Sequence, residues 1–335
     1  MKVAVLIRQH EPFSLKIYRD NVVQELIALG VEVLFFTATN PVPEECDLVW
    51  EPGLAGSRIP PPVLKNTLKR VIVTVHGAGP FSMKFHEIYP NISQALQGKM
   101  RRIRTLIAWR WLKKKVSAVI VVSEFGAKEI STVFDLPINM IYFIHHGVDH
   151  DTFNIDGKKP DIEWNYLLHV SQYKPTKNVD RIFAAYSTLP VAGRPGLVAI
   201  LPGYNNKKVD IKGIRIISER LSPIELAKWY RGGIGFVFPS LRESFGMPIL
   251  EAMACGCPVI TSNSTACAEI AGDAALLVNP RSVDEITHAM SRLIEDEPLR
   301  ESLRQKGLAR SQQFTWRKSA EGHLKVFKKV LGGKT

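Results

Sequence analysis

Two carboxylates bracket a glycine-bearing loop in this chain. Glu243 and Glu251 have seven residues between them, beginning Ser244-Phe-Gly-Met-Pro248. A strand ending at Phe238 precedes the loop. Pro248 suits the first turn of a helix that runs to about Cys255, where Gly256 closes it. A loop of this kind presents backbone N–H groups at a helix N-terminus, a geometry that binds phosphate or another anion. Gly246 allows a ligand to approach the main chain closely. Carboxylates repel phosphate, but beside a phosphate site they suit hydroxyls at either end of a diphosphate. A second reading stays open: Glu251, in the first helical turn, complements the helix dipole, and Glu243 is merely solvated.

Two further residue types point to the same chemistry. Lys177 lies in His169-Val-Ser-Gln-Tyr-Lys-Pro-Thr-Lys-Asn178, where a lysine after a strand can act as a phosphate cation or be an ordinary surface residue. His76 ends the run Val73-Thr-Val-His76. At the carboxyl end of a strand it can donate to a sugar oxygen or stabilise developing charge, or serve structure alone.

The stretch Lys99–Lys115 holds eight basic residues and no acid, with Met100, Ile103, Ile107 and Trp111 on one helical face. It fits an anionic membrane surface, or a helix that packs its apolar face and solvates its basic one. Nothing else in the chain resembles a nucleic-acid-binding module, and no nucleic-acid partner is expected.

The elements that must position these residues alternate between strand and helix. Buried-strand runs fall at Val3–Ile7, Val31–Thr37, Val71–His76, Ala118–Val122 and Met140–Ile144. They recur at Tyr166–Val170, Leu197–Leu201, Ile214–Ile217, Gly235–Phe238, Pro258–Thr261 and Ala275–Val278. Helical patterns lie between them, such as Leu15–Leu29 before Gly30. The alternation implies an α/β chain of two Rossmann-like, doubly wound parallel-sheet domains facing a cleft. The polar stretch 154–161, with Gly157 and Pro160, reads as the linker. The expected division is 1–155, rejoined by a return helix in 316–335, and 156–315.

At 335 residues, 45% hydrophobic and 23% charged, the chain can build two cores, which excludes disordered, collagen-like and coiled-coil classes. No apolar run reaches the ~18 residues of a membrane span. The opening Met1–Ile7 reads as a first strand, not a leader. Cys46, Cys255, Cys257 and Cys267 form no C-x-x-C pair, so buried free thiols in a reducing cytoplasm are expected, with no metal site. The net charge of +12 favours anionic partners.

The segment Pro239-Ser-Leu-Arg-Glu243-Ser-Phe-Gly-Met-Pro-Ile-Leu-Glu251-Ala-Met-Ala-Cys-Gly256 resembles the E-x7-E signature of retaining glycosyltransferases of family 4. The resemblance continues through Ala268–Ala275 and on to Phe314-Thr-Trp316; it is close in the second half and looser in the first. It implies the GT-B fold and a nucleotide-sugar held mainly by the second domain. It implies Glu243 on the donor sugar, Glu251 on the ribose, and the amides of Phe245, Gly246 and Met247 on sugar and phosphate. Lys177 matches the diphosphate lysine, and His76 a histidine near the donor sugar. Ser171 and Gln172 stand where the family usually has Gly and Arg, with Lys174 or Arg242 as compensating cations. Gly77 stands where Asp often follows the histidine, and residues 11–15 lack the family's Gly-Gly turn. The loops near Gly203 and Glu219–Leu221 are expected to choose base and sugar.

The implied reaction is transfer of a hexose, mannose first, from GDP-mannose or a UDP-hexose to a saccharide or lipid-linked acceptor in polysaccharide assembly. The resemblance implies retention of configuration without metal or other cofactor, in the cytoplasm, with peripheral attachment to the inner face of the membrane as a further expectation. Alternatives on the same fold are a nucleotide-sugar epimerase, a sugar phosphorylase, or a non-catalytic binding protein.

Overall fold

The structure is a computed structural model that describes residues 1–54, 58–89, 91–205 and 211–332. It divides into two units, Met1–Gly147 with the closing segment from Trp316, and Val148–Thr315.

The first unit runs β1 (Lys2–Ile7), α1 (Phe13–Ala28), β2 (Glu32–Thr37), β3 (Leu48–Leu54), α2 (Val63–Asn66), β4 (Arg70–Val75), α3 (Gly79–Ser82) and α4 (Phe85–Ile88). It continues with α5 (Ile92–Lys115), β5 (Val116–Val121), α6 (Glu124–Phe134) and β6 (Ile141–Phe143). Its sheet order is β2-β1-β3-β4-β5-β6, with every pairing parallel. Helices cover both faces, which is why Val3, Ala4, Val5 and Leu6 are all buried although they alternate in direction.

β3 is absent from the sequence expectation because Pro52 and Gly53 read as strand breakers. All seven of its residues are buried between β1 and β4, and the irregularity falls as a register shift between Glu51 and Leu54.

The second unit runs β7 (Tyr166–Val170), α7 (Val179–Thr188), β8 (Gly196–Ile200), β9 (Ile214–Ile217), α8 (Pro223–Gly232), β10 (Gly235–Phe238) and α9 (Met247–Ala254). It ends with β11 (Val259–Ser262), α10 (Thr265–Ala271), β12 (Ala275–Val278), α11 (Val283–Glu295) and α12 (Glu297–Ser311). Its parallel sheet has the order β12-β11-β10-β7-β8-β9. The chain therefore reverses direction across the sheet between β7 and β10, as it does between β1 and β3 in the first unit. Ligands bind doubly wound sheets at the strands' carboxyl ends beside such points.

The last helix, α13 (Trp316–Val330), belongs to the first unit. His323 Nδ1 donates to Ser319 O at 2.7 Å, so its Nε2 accepts from the Tyr18 hydroxyl at 2.6 Å; the Tyr18 oxygen lies 3.1 Å from Thr74 Oγ1, to which Trp50 Nε1 donates at 2.9 Å. This buried network ties α1, β3, β4 and α13 together.

The division at Gly147/Val148 falls ahead of the expected linker. Arg231 explains the difference. Its guanidinium donates to the carbonyls of Thr152 at 3.1 Å and Asn154 at 2.7 Å, fastening this stretch to α8 of the second unit.

The basic helix also departs from simple packing. α5 buries Gly98, Thr105, Ala108, Trp109 and Leu112, with Trp109 stacked on Phe134 at 4.1 Å. Met100, Ile103 and Ile107 are not packed inward: they are 49%, 50% and 56% exposed, and Ile92 and Leu96 extend the apolar stripe along the same helix. Trp111 alone of the expected face packs partly against the core. Among the described residues no helix is long and apolar enough to cross a membrane.

Candidate functional site

The β7–α7 and β10–α9 loops meet at the second unit's reversal point. Leu241 N donates to Thr176 O at 2.9 Å. Asn178 has a φ of 62°, and its buried amide donates to Pro239 O at 2.9 Å and Pro280 O at 2.6 Å. These bonds clamp the loops and bring Lys177 onto Glu243. Lys177 Nζ lies 2.6 Å from Glu243 Oε1 and 5.2 Å from the centre of the Phe238 ring. Both partners are partly buried, at 22% and 13% side-chain exposure, so the pair is screened less than a surface ion pair.

Gly246 caps α9 at a φ of 105°, a backbone state that a side chain would strain. A Cβ there would also come within 3.0 Å of Ile249 Cδ1. No side chain caps this helix, and among the described residues the amides of Gly246 and Met247 find no acceptor. Phe245 is buried, with its ring edge-on to Phe314 at 6.2 Å.

Glu251 is not in the first helical turn as the sequence suggests. α9 begins at Met247, so Glu251 falls in the second turn, beyond the first-turn position that complements a helix dipole. It is partly buried, and Tyr230 donates to its Oε2 at 3.2 Å. Burial pushes its carboxyl pKa up to about 7, against the lowering effect of the Tyr230 hydrogen bond.

Gln172 and Gly203 line one small cavity of about 300 Å³ with Lys174 and Tyr204. Gly203 has a φ of 77°. Lys174 is thus the expected compensating cation that shares a cavity with Gln172. Ser171, in the glycine position of the family's loop, has a local partner. His169 Nδ1 donates to Val237 O at 2.7 Å, leaving Nε2 to accept from the Ser171 hydroxyl at 2.7 Å.

His76 stands in the first unit. Its Nε2 lies 2.7 Å from Pro52 O, and a carbonyl only accepts, so this nitrogen carries the proton. Burial lowers its pKa to about 4, so the ring is neutral at pH 7 and Nδ1 is an acceptor. This arrangement differs from the donor expected of it. Gly77 has a φ of 102°, which accounts for glycine where the family often has Asp.

Sequence reasoning missed Asn178, His169 and Thr265. Thr265 accepts from Glu243 N at 3.4 Å while holding a φ of 61°, a costly state for a β-branched residue. A lone Asn before a helix was the available signal for Asn178; nothing local marks the other two.

His169 and His323 are fully buried, and burial lowers both pKa values to about 4. The lowered pKa means that stability is present above pH ~6.5 and is lost as pH falls toward 4. At pH 5.5 each site costs its own unit on the order of 1 kcal/mol. Urea melts at pH 7.5 and 5.5 should show that loss, and His323→Gln should reduce the first unit's share without abolishing it, because burial also lowers the pKa values of His76 and His146 in that unit.

Comparison with known proteins bears on this geometry. Residues 152–310 match the family model for glycosyl transferases group 1, and residues 46–152 match that for Glycosyltransferase Family 4. The O-antigen chain mannosyltransferase B of Escherichia coli is 31% identical over 228 residues, covering 63% of this chain and 60% of that protein. This chain spans only 29% of the length of an E. coli serotype-specific mannosyltransferase WbdA. The MMP alpha-(1->4)-mannosyltransferase of Mycolicibacterium hassiacum is 26% identical, covering 98% of this chain and 85% of that one. Among solved structures, sucrose-phosphate synthase from Thermosynechococcus elongatus superposes at a TM-score of 0.76, 17% identity and 99% coverage of both chains. Anabaena HepE, solved in complex with UDP and glucose, superposes at 0.72 and 15% identity, covering 98% of this chain and 100% of that one. These likenesses show a GT-B fold, with two six-stranded parallel sheets.

Proposed function

We propose that this chain, which belongs to the family 4 glycosyltransferases, moves mannose from GDP-mannose to a saccharide or lipid-linked acceptor with retention of configuration. A UDP-hexose is the second choice of donor. The observation that carries this reading is the clamped pair Lys177–Glu243 beside the amides of Gly246 and Met247. A cation and two N–H groups suit a diphosphate, and a carboxylate beside them suits the hydroxyls of the attached sugar. The mannosyltransferase names of the relatives favour mannose and its nucleotide.

In the proposed reaction the bond from sugar C1 to the diphosphate oxygen breaks as C1 bonds to the acceptor oxygen on the same face. The acceptor's proton passes to the departing phosphate oxygen. Lys177 and the α9 amides stabilise the charge that grows on the diphosphate. Glu243 orients the sugar, Glu251 holds the ribose, and Gln172 and Gly203 border the donor. His76 offers an acceptor nitrogen to a sugar hydroxyl. With Lys177 filling the cation role, transfer should proceed in EDTA without added metal or cofactor; abolition by EDTA, restored by Mg²⁺, would overturn that part.

Proton NMR of the disaccharide made from GDP-mannose tests the reaction. An α-mannoside is expected, and a β-mannoside would contradict retention. Change of the donor without acceptor would point to an epimerase, phosphate dependence to a phosphorylase, and no turnover to a binding protein.

The exposed α5 stripe of Ile92, Leu96, Met100, Ile103 and Ile107, among the basic residues of 99–115, supports attachment to an anionic bilayer. On this reading the enzyme is a peripheral protein of the inner face of the membrane. Co-sedimentation with phosphatidylglycerol vesicles should fall several-fold in 0.5 M salt and in Ile103→Glu/Ile107→Glu. Equal binding to neutral phosphatidylcholine vesicles would rule out the charge component.

A further inference from the structure

The Lys177–Glu243 pair is bordered by backbone in a state that side chains avoid. Among the described residues only Asp135, Asn178 and Thr265 hold a positive φ without being glycine, and the last two stand at this pair. Asn178 follows Lys177 in the chain, and asparagine tolerates the left-handed region. Thr265 does not: branching at Cβ makes its φ of 61° a costly state. Glycine would occupy the same position without that cost. What threonine supplies and glycine lacks is a side chain.

That side chain has a defined use. Thr265 Oγ1 accepts from Glu243 N at 3.4 Å, which leaves its own proton for the sulfur of Cys267, fully buried two residues further on. Burial pushes the Cys267 thiol up to about 12; the charge of Glu243 adds to the rise, and the hydroxyls of Thr261 and Thr265 oppose it. Two more hydroxyls of the same segment act on the same loop. From β11, Thr261 Oγ1 donates to Phe238 O at 2.9 Å, and Ser262 Oγ donates to Ser240 O. Both residues are fully buried. The β11–α10 segment thus holds the β10–α9 loop at residues 238, 240 and 243, from the side opposite in sequence to the Asn178 clamp. Of these three hydroxyls, that of Thr265 is the one that reaches Glu243.

We propose that Thr265 is a positioning residue for Glu243: its hydroxyl fixes the main chain there, so that the carboxylate meets Lys177 and the donor sugar together. The inference rests on the transfer reading above for what Glu243 does, and on the geometry for how Thr265 holds it. Thr265 touches no reacting atom and acts through Glu243. Strain in one residue is retained because it orders another, a pattern found at active sites.

Three variants of the full chain separate the hydroxyl from the strain. Thr265→Ser keeps the hydroxyl, Thr265→Val keeps the shape without it, and Thr265→Gly removes both hydroxyl and strain. With GDP-mannose, kcat should fall roughly tenfold to a hundredfold in the valine and glycine variants and stay within about threefold of wild type in the serine variant. Thr265→Gly should nevertheless melt no lower than wild type, whereas loss of a merely structural residue would lower the melting temperature. GDP, which lacks the sugar, should raise the melting temperature equally in all three variants and in wild type. In a Glu243→Ala background Thr265→Val should cost nothing further, because its effect runs through Glu243. Crystal structures give a readout that needs no turnover. The 2.6 Å contact between Lys177 Nζ and Glu243 Oε1 should persist in wild type and Thr265→Ser and open in Thr265→Val. A contact unmoved in Thr265→Val, or an equal loss of rate in the absence of Glu243, would overturn the proposal. An opened contact in a protein whose wild type transfers no sugar would count against the transfer reading alone.

Discussion

Lys177→Ala should lower kcat on the nucleotide-sugar by roughly 10²- to 10³-fold, the usual effect of removing one group that stabilises transition-state charge. Two effects act together. The cation facing the departing diphosphate disappears, and Glu243, whose partner lay 2.6 Å away, is left as an unneutralised carboxylate beside that charge. Glu243→Ala should also be severe, because the sugar loses its acceptor while Lys177 loses its anchor. The double variant should be little worse than either single one, since the two residues act as a unit. Folding should survive, because the hydrogen bonds from Leu241 to Thr176 and from Asn178 to Pro239 and Pro280 still clamp the two loops. Lys177→Arg should recover part of the rate. Steady-state kinetics with circular dichroism on each variant decides this, and a full rate in Lys177→Ala would remove the residue from the mechanism.

The second large effect concerns Glu251. With Glu251 assigned to the ribose as proposed, Glu251→Ala should weaken donor binding by about 2–3 kcal/mol, or roughly 30- to 150-fold. Its pKa of about 7 adds a pH signature. The ionised carboxylate is the form that accepts two hydroxyl protons. About nine-tenths is ionised at pH 8 and about a tenth at pH 6, so affinity should fall about tenfold between them. GDP-mannose is the suitable probe, because its diphosphate diester has no proton to lose in this range. Glu251→Gln should be weaker and flat with pH. Tyr230→Phe removes the hydrogen bond that lowers this pKa and should move the midpoint upward. A wild-type affinity independent of pH would contradict the assignment.

What the sequence reveals of this site follows the range of the forces involved. The loop from Glu243 to Met247 is legible because glycine, proline and helix start act over a few residues. The pairing of Lys177 with Glu243 is not, because it depends on Leu241 and Asn178 joining loops that lie 66 residues apart. The strands of the second sheet announce themselves as short apolar runs. β3 is hidden by Pro52 and Gly53, which only its neighbours and a register shift make compatible with a central strand. The face of α5 is left open between a surface-bound and a packed helix for a similar reason. Met100, Ile103 and Ile107 have helical spacing, but Trp109 stacking on Phe134 fixes the rotation of the helix and turns them outward.

The most direct measurement is the melting temperature of the purified chain with GDP, UDP, ADP, TDP and their sugars, in wild type, Lys177→Ala and Glu251→Ala. A ligand at a hundredfold excess over its Kd stabilises the fold by about 2.7 kcal/mol. GDP and GDP-mannose should raise the wild-type melting temperature, and the rise should shrink in both variants. No rise with any nucleotide, or an undiminished rise in both variants, would contradict a donor site built on Lys177, Gly246 and Glu251.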